Sequence, residues 1–116
     1  MAESGILWTD KKRYLGLAIS FTEYSLTDQR LMVKSGLFTV RYNQTMLFRV
    51  QDIEVTTTLG QRFFGVGNIK IISNDKNSPD MLVENVRNPL GVKELIHSLV
   101  EDIREKKNMQ AGEVLS

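Results

Sequence analysis

The 116-residue sequence predicts a mainly β domain with a C-terminal α-helix: a bent antiparallel sheet, or partly open barrel, capped by one amphipathic helix. Three observations carry this expectation. Apolar and polar residues alternate through much of the stretch from 20 to 86. Short clusters of turn residues punctuate the alternation. After Asn88-Pro89 the apolar period changes once, from that of a strand to that of a helix.

In FTEYSLT, Phe21, Tyr24 and Leu26 alternate imperfectly with polar residues, and Asp28-Gln29 makes a short turn. RLMVKSG sets Leu31 and Val33 against Met32 and Lys34, and Ser35-Gly36 signals a hairpin. LFTVRYN puts Phe38, Val40 and Tyr42 on one side, with Asn43-Gln44 expected as a bulge or kink. TMLFRV groups Met46, Phe48 and Val50 as one strand face. DIEVTTT opposes Ile53, Val55 and Thr57 to Glu54, Thr56 and Thr58. NIKIIS and DMLVENV follow, joined by the turn-rich NDKNSPD. The expected total is six strands or slightly more.

Asn88 caps a helix and Pro89 opens it. Val92, Leu95, Ile96, Leu99, Val100 and Ile103 then form one apolar stripe. Lys93, Glu94, Glu101, Asp102 and Glu105 cover the other face, and Arg104, Lys106 and Lys107 suit the negative end of the helix dipole. The domain is therefore expected over 20–107, with its helix at about 89–107 and a mobile tail at 108–116. Residues 1–19 are a lead-in with an apolar cluster, Ile6-Leu7-Trp8, and a basic run, Lys11-Lys12-Arg13. Two fates are open for it: Trp8 packs on the domain, or the segment extends to a partner.

The composition excludes several classes of function. There is no cysteine, which removes disulfides, thiolate metal sites and thiol nucleophiles. The net charge is +1, against the strong basic excess of a general nucleic-acid binder. No cationic start precedes a long apolar run, and no apolar run approaches the ~20 residues of a membrane span. The expectation is a cytoplasmic protein without an integral membrane segment.

Gly65-Val66-Gly67 invites a phosphate-loop reading, but a dinucleotide fingerprint needs a third glycine and a helix after it. NIKIIS follows instead, so the glycines are expected to form a corner that starts a strand, anchored in the core by Phe63 and Phe64. His97 is the single histidine and no Gly-x-Ser-x-Gly elbow exists, so no catalytic residue, metal ligand or cofactor is assigned. NDKNSPD lacks the glycine and closing glutamate of a calcium loop. The remaining candidates are cations and one aromatic ring. Lys11, Lys12, Arg13 and Tyr14, with Arg49 and Arg62, are the residues expected to hold an anionic group, if one binds.

The stretch RVQDIEVTTTLGQRFFGVGNIKI, between YSLTDQRLMVKSG and NPLGVKELI, resembles the bacterial pleckstrin-homology-like domains. The resemblance runs from about Phe21 to Lys107 and reaches weakly into the lead-in. It implies a seven-stranded bent sheet with a C-terminal capping helix, so the expected fold is PH-like with six to seven strands. The fold does not by itself supply a function. With no catalytic group found beside a well-specified scaffold, the expected function is a non-catalytic interaction module acting through protein–protein contacts or self-association, the latter also suggested by the resemblance. The other reading left open is a binder of a small anionic ligand, a nucleotide signal or lipid headgroup, held by a basic and aromatic pocket. Relatives that bind inositol phosphates use cations around their first hairpin. Here that hairpin is taken as Leu26 to Arg30, short and acid-tipped, so phosphoinositide binding is not expected.

Overall fold

The computed structural model describes residues 5–15, 17, 20–74 and 80–115. Among the described residues, seven strands form two antiparallel sheets. The first contains β1 (Trp8–Lys11), β2 (Thr22–Leu26), β3 (Arg30–Ser35) and β4 (Arg41–Met46) in that order. The second contains β5 (Val50–Thr56), β6 (Val66–Ser73) and β7 (Met81–Arg87). A short helix α1 (Leu59–Phe63) joins β5 to β6, and α2 (Pro89–Leu115) ends the chain.

Residues 8–11 of the lead-in join the first sheet. Trp8 pairs with Leu26 and Lys11 with Glu23, so β1 is one of the two outer strands of the first sheet. Trp8 packs against the core. Four residues of mixed polarity, WTDK, carry too weak an alternation to announce a strand. Their partner β2 supplies the ladder that makes them one.

The core gathers both sheets and the helix. Tyr24, Leu26 and Leu31 come from the first sheet, and Ile69, Ile71, Val83 and Val86 from the second. Val92, Ile96 and Val100 of α2 close it, with Leu95, Leu99 and Ile103 packed at its margin. All six residues of the expected stripe therefore face inward. Asn88 caps the helix as its sequence predicts: its carbonyl accepts from Val92 N–H at 3.1 Å and its side chain from Gly91 N–H at 3.4 Å.

Several local expectations are corrected. Residues 36–40 form an exposed turn rather than a strand, so Phe38, Val40 and Tyr42 do not form a core face. Gly36 holds a left-handed φ of +110° there, and a Cβ would strike the carbonyl of Thr39. Asn43 and Gln44 continue the regular register opposite Val33 and Met32 and make no bulge. TMLFRV is not one strand: a 3-10 turn over Leu47–Arg49 breaks it, burying Leu47 and exposing Phe48. Leu47 N–H donates to Gln29 carbonyl at 2.9 Å, which swings the chain from the first sheet to the second. The helix α2 runs on to Leu115, beyond the expected end at 107. Residues 108–115 carry no proline and are mostly competent helix formers, so the helix continues without an apolar stripe. Of the NDKNSPD turn, residues 75–79 lie outside the described residues.

The glycines make a corner. Gly65 leaves α1 with φ +69°, and its N–H donates to Arg62 carbonyl at 3.2 Å. Gly67 lies within β6, where a Cβ would come within 2.5 Å of Thr57 Cγ2 and 2.7 Å of Pro89 Cγ. One glycine supplies a turn and the other lets the helix start press against the strand. Phe63 and Phe64 do not anchor this corner in the core, because both are exposed. The residues before the corner form α1, capped by a Thr58–Gln61 box with N–H bonds at 3.2 and 3.0 Å.

Along β7 the two sheets are joined by separate bonds. Arg13 N–H donates to Asn85 carbonyl at 2.8 Å, and Arg87 N–H to Asp10 Oδ2 at 3.0 Å. Glu84 N–H donates to the Tyr24 hydroxyl at 3.0 Å. Burial pushes the Tyr24 phenol above its ordinary value, the bond from Glu84 N–H opposing it. The native state thus holds this proton more tightly than the unfolded chain. That contribution is whole below the unfolded value of about 10 and is lost as pH rises through the native one. Urea unfolding between pH 8 and 11 is expected to show a steeper loss of stability for the wild type than for Tyr24→Phe. Parallel pH curves for the two would sink the argument.

Candidate functional site

The two connections at one end of the first sheet are unusually apolar. One spans residues 12–21, from β1 to β2, and the other residues 36–40, from β3 to β4. The register places them side by side, since Thr22 pairs with Ser35 and Ser35 with Arg41. Gly36 N–H donates to Phe21 carbonyl at 3.2 Å and ties them together. Tyr14, Leu15, Leu17, Phe21, Leu37 and Phe38 all stand exposed on these connections, Phe38 at 96%. Water-facing large apolar residues are common singly, but a cluster of this kind marks a contact surface.

Helix α1 extends the surface. Leu59 is 82% exposed and Phe63 84%, with the Phe63 and Phe64 rings edge to face at 5.2 Å. Across a shallow cavity of about 190 Å³, Gly60, Gln61 and Phe64 meet Arg13, Tyr14 and Leu15. An amide network holds this floor. Gln61 Nε2 donates to Asn68 Oδ1 at 2.9 Å and to Asn85 Oδ1 at 2.7 Å, while Asn85 N–H donates to Asn68 Oδ1 at 3.1 Å. Asn85 sits at φ +51°, a conformation asparagine tolerates, beside the register shift between β6 and β7. The capping box and the network share Gln61, so the exposed helix is attached by polar bonds rather than by its phenylalanines.

The six sequence candidates divide among several places. Lys11 ends β1 opposite Glu23 and lines a cavity with Phe21, Lys34 and Val40. Lys12 pairs with Glu84 at 3.3 Å, its ammonium 6.0 Å from the centre of the Tyr14 ring. Arg13 pairs with Asp10 at 3.2 Å. Tyr14 forms an isolated antiparallel bridge with Leu17 and stands half exposed. Arg62 turns back along α1, its Nε donating to Thr57 Oγ1 at 3.4 Å. Arg49 follows the far end of β4, with its guanidinium 5.3 Å from the Phe48 ring centre. Lys11, Lys12, Arg13 and Tyr14 thus share one end of the molecule, Arg62 lies on the neighbouring helix, and Arg49 is separated from them by the length of a strand.

The first hairpin is β1–β2, not the Leu26–Arg30 turn. Its connection carries the basic run, so a short acidic first hairpin is no ground against phosphate binding. The local charges weigh instead: acids already face Lys12 and Arg13. Sequence reading had found the cations and missed the apolar residues around them. The signal available was Thr58-Leu59-Gly60-Gln61, a capping box that turns TLGQRFF into an exposed helix.

Among the described residues, no His, Cys, Asp or Glu side chains gather as a metal centre would require. Nor, among them, is any helix long and apolar enough to cross a membrane; α2 has the length but not the composition.

Comparison with known proteins gives the same architecture. Residues 13–107 match the family model described as bacterial PH domain. A crystal structure of a DUF1696 family protein with a pleckstrin-homology domain, from Shewanella loihica PV-4, superimposes with a TM-score of 0.53. The identity is 14%, over 68% of this chain and 70% of that one, a likeness of fold. No curated protein sequence matches the chain.

Proposed function

The chain belongs to the bacterial PH domain family, and from that premise we propose a non-catalytic interaction module that docks a protein surface onto its apolar end. The observation that carries this reading is the cluster of bulky exposed side chains on 12–21, 36–40 and α1. Residues of this size, held on short connections and a capped helix, present apolar area without first having to unfold. The partner is a second copy of the chain or another protein. The residue inventory supports a binding role: there is no cysteine, and the single histidine, His97, lies exposed on α2. The anionic-ligand reading is weaker, because Glu84 and Asp10 offset the charge of Lys12 and Arg13.

Native mass spectrometry separates these readings. A self-associating module gives multiples of 13.2 kDa that revert to monomer in a Phe38→Ser/Phe63→Ser double variant. A module for another protein gives a monomer that captures a partner, with capture falling at least tenfold in the double variant. Both side chains are exposed, so neither change should move stability by more than about 0.5 kcal/mol. Equal assembly and capture by wild type and variant would overturn the reading. A retained small mass on each subunit would favour the anionic ligand instead.

A further inference from the structure

Helix α1 stands on the sheet by one side chain. Leu59, Gly60, Arg62 and Phe63 are exposed, and only Gln61 is half-buried. A helix this short has little stability of its own in water, and no buried residue of α1 supplies any. Its cap supplies part. Thr58 N–H donates to Gln61 Oε1, and Gln61 N–H donates to Thr58 Oγ1. The hold on the sheet comes from the two hydrogens of the same amide, given to Asn68 Oδ1 at 2.9 Å and Asn85 Oδ1 at 2.7 Å. Gln61 thus joins the cap with its carbonyl and the sheet with its NH2 group.

The neighbours of Gln61 leave the helix room to turn. Arg62 Nε bonds to Thr57 Oγ1, within the same connection between β5 and β6. Phe64 follows the helix and is itself exposed. At the exit, a Cβ on Gly65 would meet no atom within 4 Å, so open space surrounds the backbone there. The floor under the helix is fixed by contrast. Asn85 N–H donates to Asn68 Oδ1 at 3.1 Å, and the Asn85 carbonyl accepts from Arg13 N–H at 2.8 Å. Asn85 therefore ties α1 on one side to the 12–21 connection on the other. These are the two parts of the apolar end that meet across the shallow cavity.

We propose that α1 is a hinged flap of the apolar end, leaving the sheet as a unit, and that Gln61 is the latch that sets how often it does so. Latched, the flap holds Phe64 over the cavity that Tyr14 and Leu15 also line, so a partner meets one continuous surface. Unlatched, that surface is divided, and the floor uncovered is amide rather than apolar. The use of the flap rests on the docking reading above; the flap itself is tested without a partner.

Gln61→Glu separates the latch from the cap. Glutamate still accepts from Thr58 N–H, but when ionised it has no hydrogen for Asn68 Oδ1 or Asn85 Oδ1. Amide hydrogen exchange at Arg62 and Phe64, whose N–H groups bond within α1, reads the flap, and exchange at Ile69 and Ile71 reads the sheet. In the wild type the α1 amides should exchange faster than Ile69 and Ile71 and respond weakly to urea, as a local opening does. A remote core change, Val100→Ala, should speed Ile69 and Ile71 and leave Arg62 and Phe64 unmoved. Gln61→Glu should speed Arg62 and Phe64 by about tenfold or more, the worth of one or two side-chain hydrogen bonds. The flap is overturned if the α1 amides follow Ile69 and Ile71 in Val100→Ala, or if Gln61→Glu leaves them unchanged. The neutral dye Nile red reads the surface, and its binding should fall in Gln61→Glu as in Phe38→Ser/Phe63→Ser. Dye binding lost in the phenylalanine variant but kept in Gln61→Glu would overturn the latch's role in docking. Dye binding kept in the phenylalanine variant would count against the apolar end as a binding surface, with the flap still decided by exchange.

Discussion

Replacing Ile96 with alanine is expected to cost 3–5 kcal/mol, roughly a third or more of the stability of a domain this size. Ile96 is fully buried at the centre of the α2 stripe, between Val92 and Val100. It meets a core drawn from both sheets, whose strand residues Tyr24, Leu26, Ile69 and Ile71 are themselves buried. Their positions are fixed by ladders, so the surroundings have little freedom to collapse into the space left. The full cavity penalty then adds to the lost transfer energy. The contrast that makes the test specific lies on the same helix. Leu90 is exposed, and Leu90→Ala should change stability by no more than about 0.5 kcal/mol. Urea unfolding followed by circular dichroism measures both. An Ile96→Ala loss below about 1 kcal/mol would mean that α2 is not the closing element of the core.

The contrast between these two positions also shows which features a sequence makes visible. The α2 stripe could be read because six apolar residues repeat over three turns of helix, and burial follows that period. Ile53, Val55, Ile69 and Ile71 could be read for the equivalent reason in strands. The period fails where apolar residues stand outside the core. Phe38, Val40 and Tyr42 alternate as a strand face would, yet they sit outside the core, and alternation alone does not say which side meets protein. Phe63 and Phe64 mislead in the same way, because aromatic pairs usually mean core. The strand β1 was hidden for a different cause. Its place depends on the ladder to β2 and on a bond from Arg87 N–H, far along the chain, and no local pattern reports either.

That distant bond ends on Asp10. Asp10→Ala is expected to destabilise the protein by about 2–4 kcal/mol and to loosen the apolar end before the rest of the fold. The Asp10 side chain is only 8% exposed. Its carboxylate accepts from the N–H of Lys11 at 2.8 Å, from the N–H of Arg87 at 3.0 Å and from the Arg13 guanidinium at 3.2 Å. Alanine leaves Arg87 N–H without this acceptor and removes the acid that faces Arg13. The cost is therefore that of groups stripped of partners, larger than the net worth of the same bonds in water. Asp10→Asn keeps an acceptor for Arg87 N–H but loses the charge, so it should cost about half as much. Amide hydrogen exchange gives the spatial part of the test. In Asp10→Ala, protection should fall at Arg13 and Arg87, while Ile69 and Ile71 keep exchange governed by global unfolding. A uniform fall across the chain would mean that β1 is integral to the cooperative core. No fall at Arg13 or Arg87 would mean that the β1–β7 contact is held by other groups, and that the apolar connections do not depend on this carboxylate for their position.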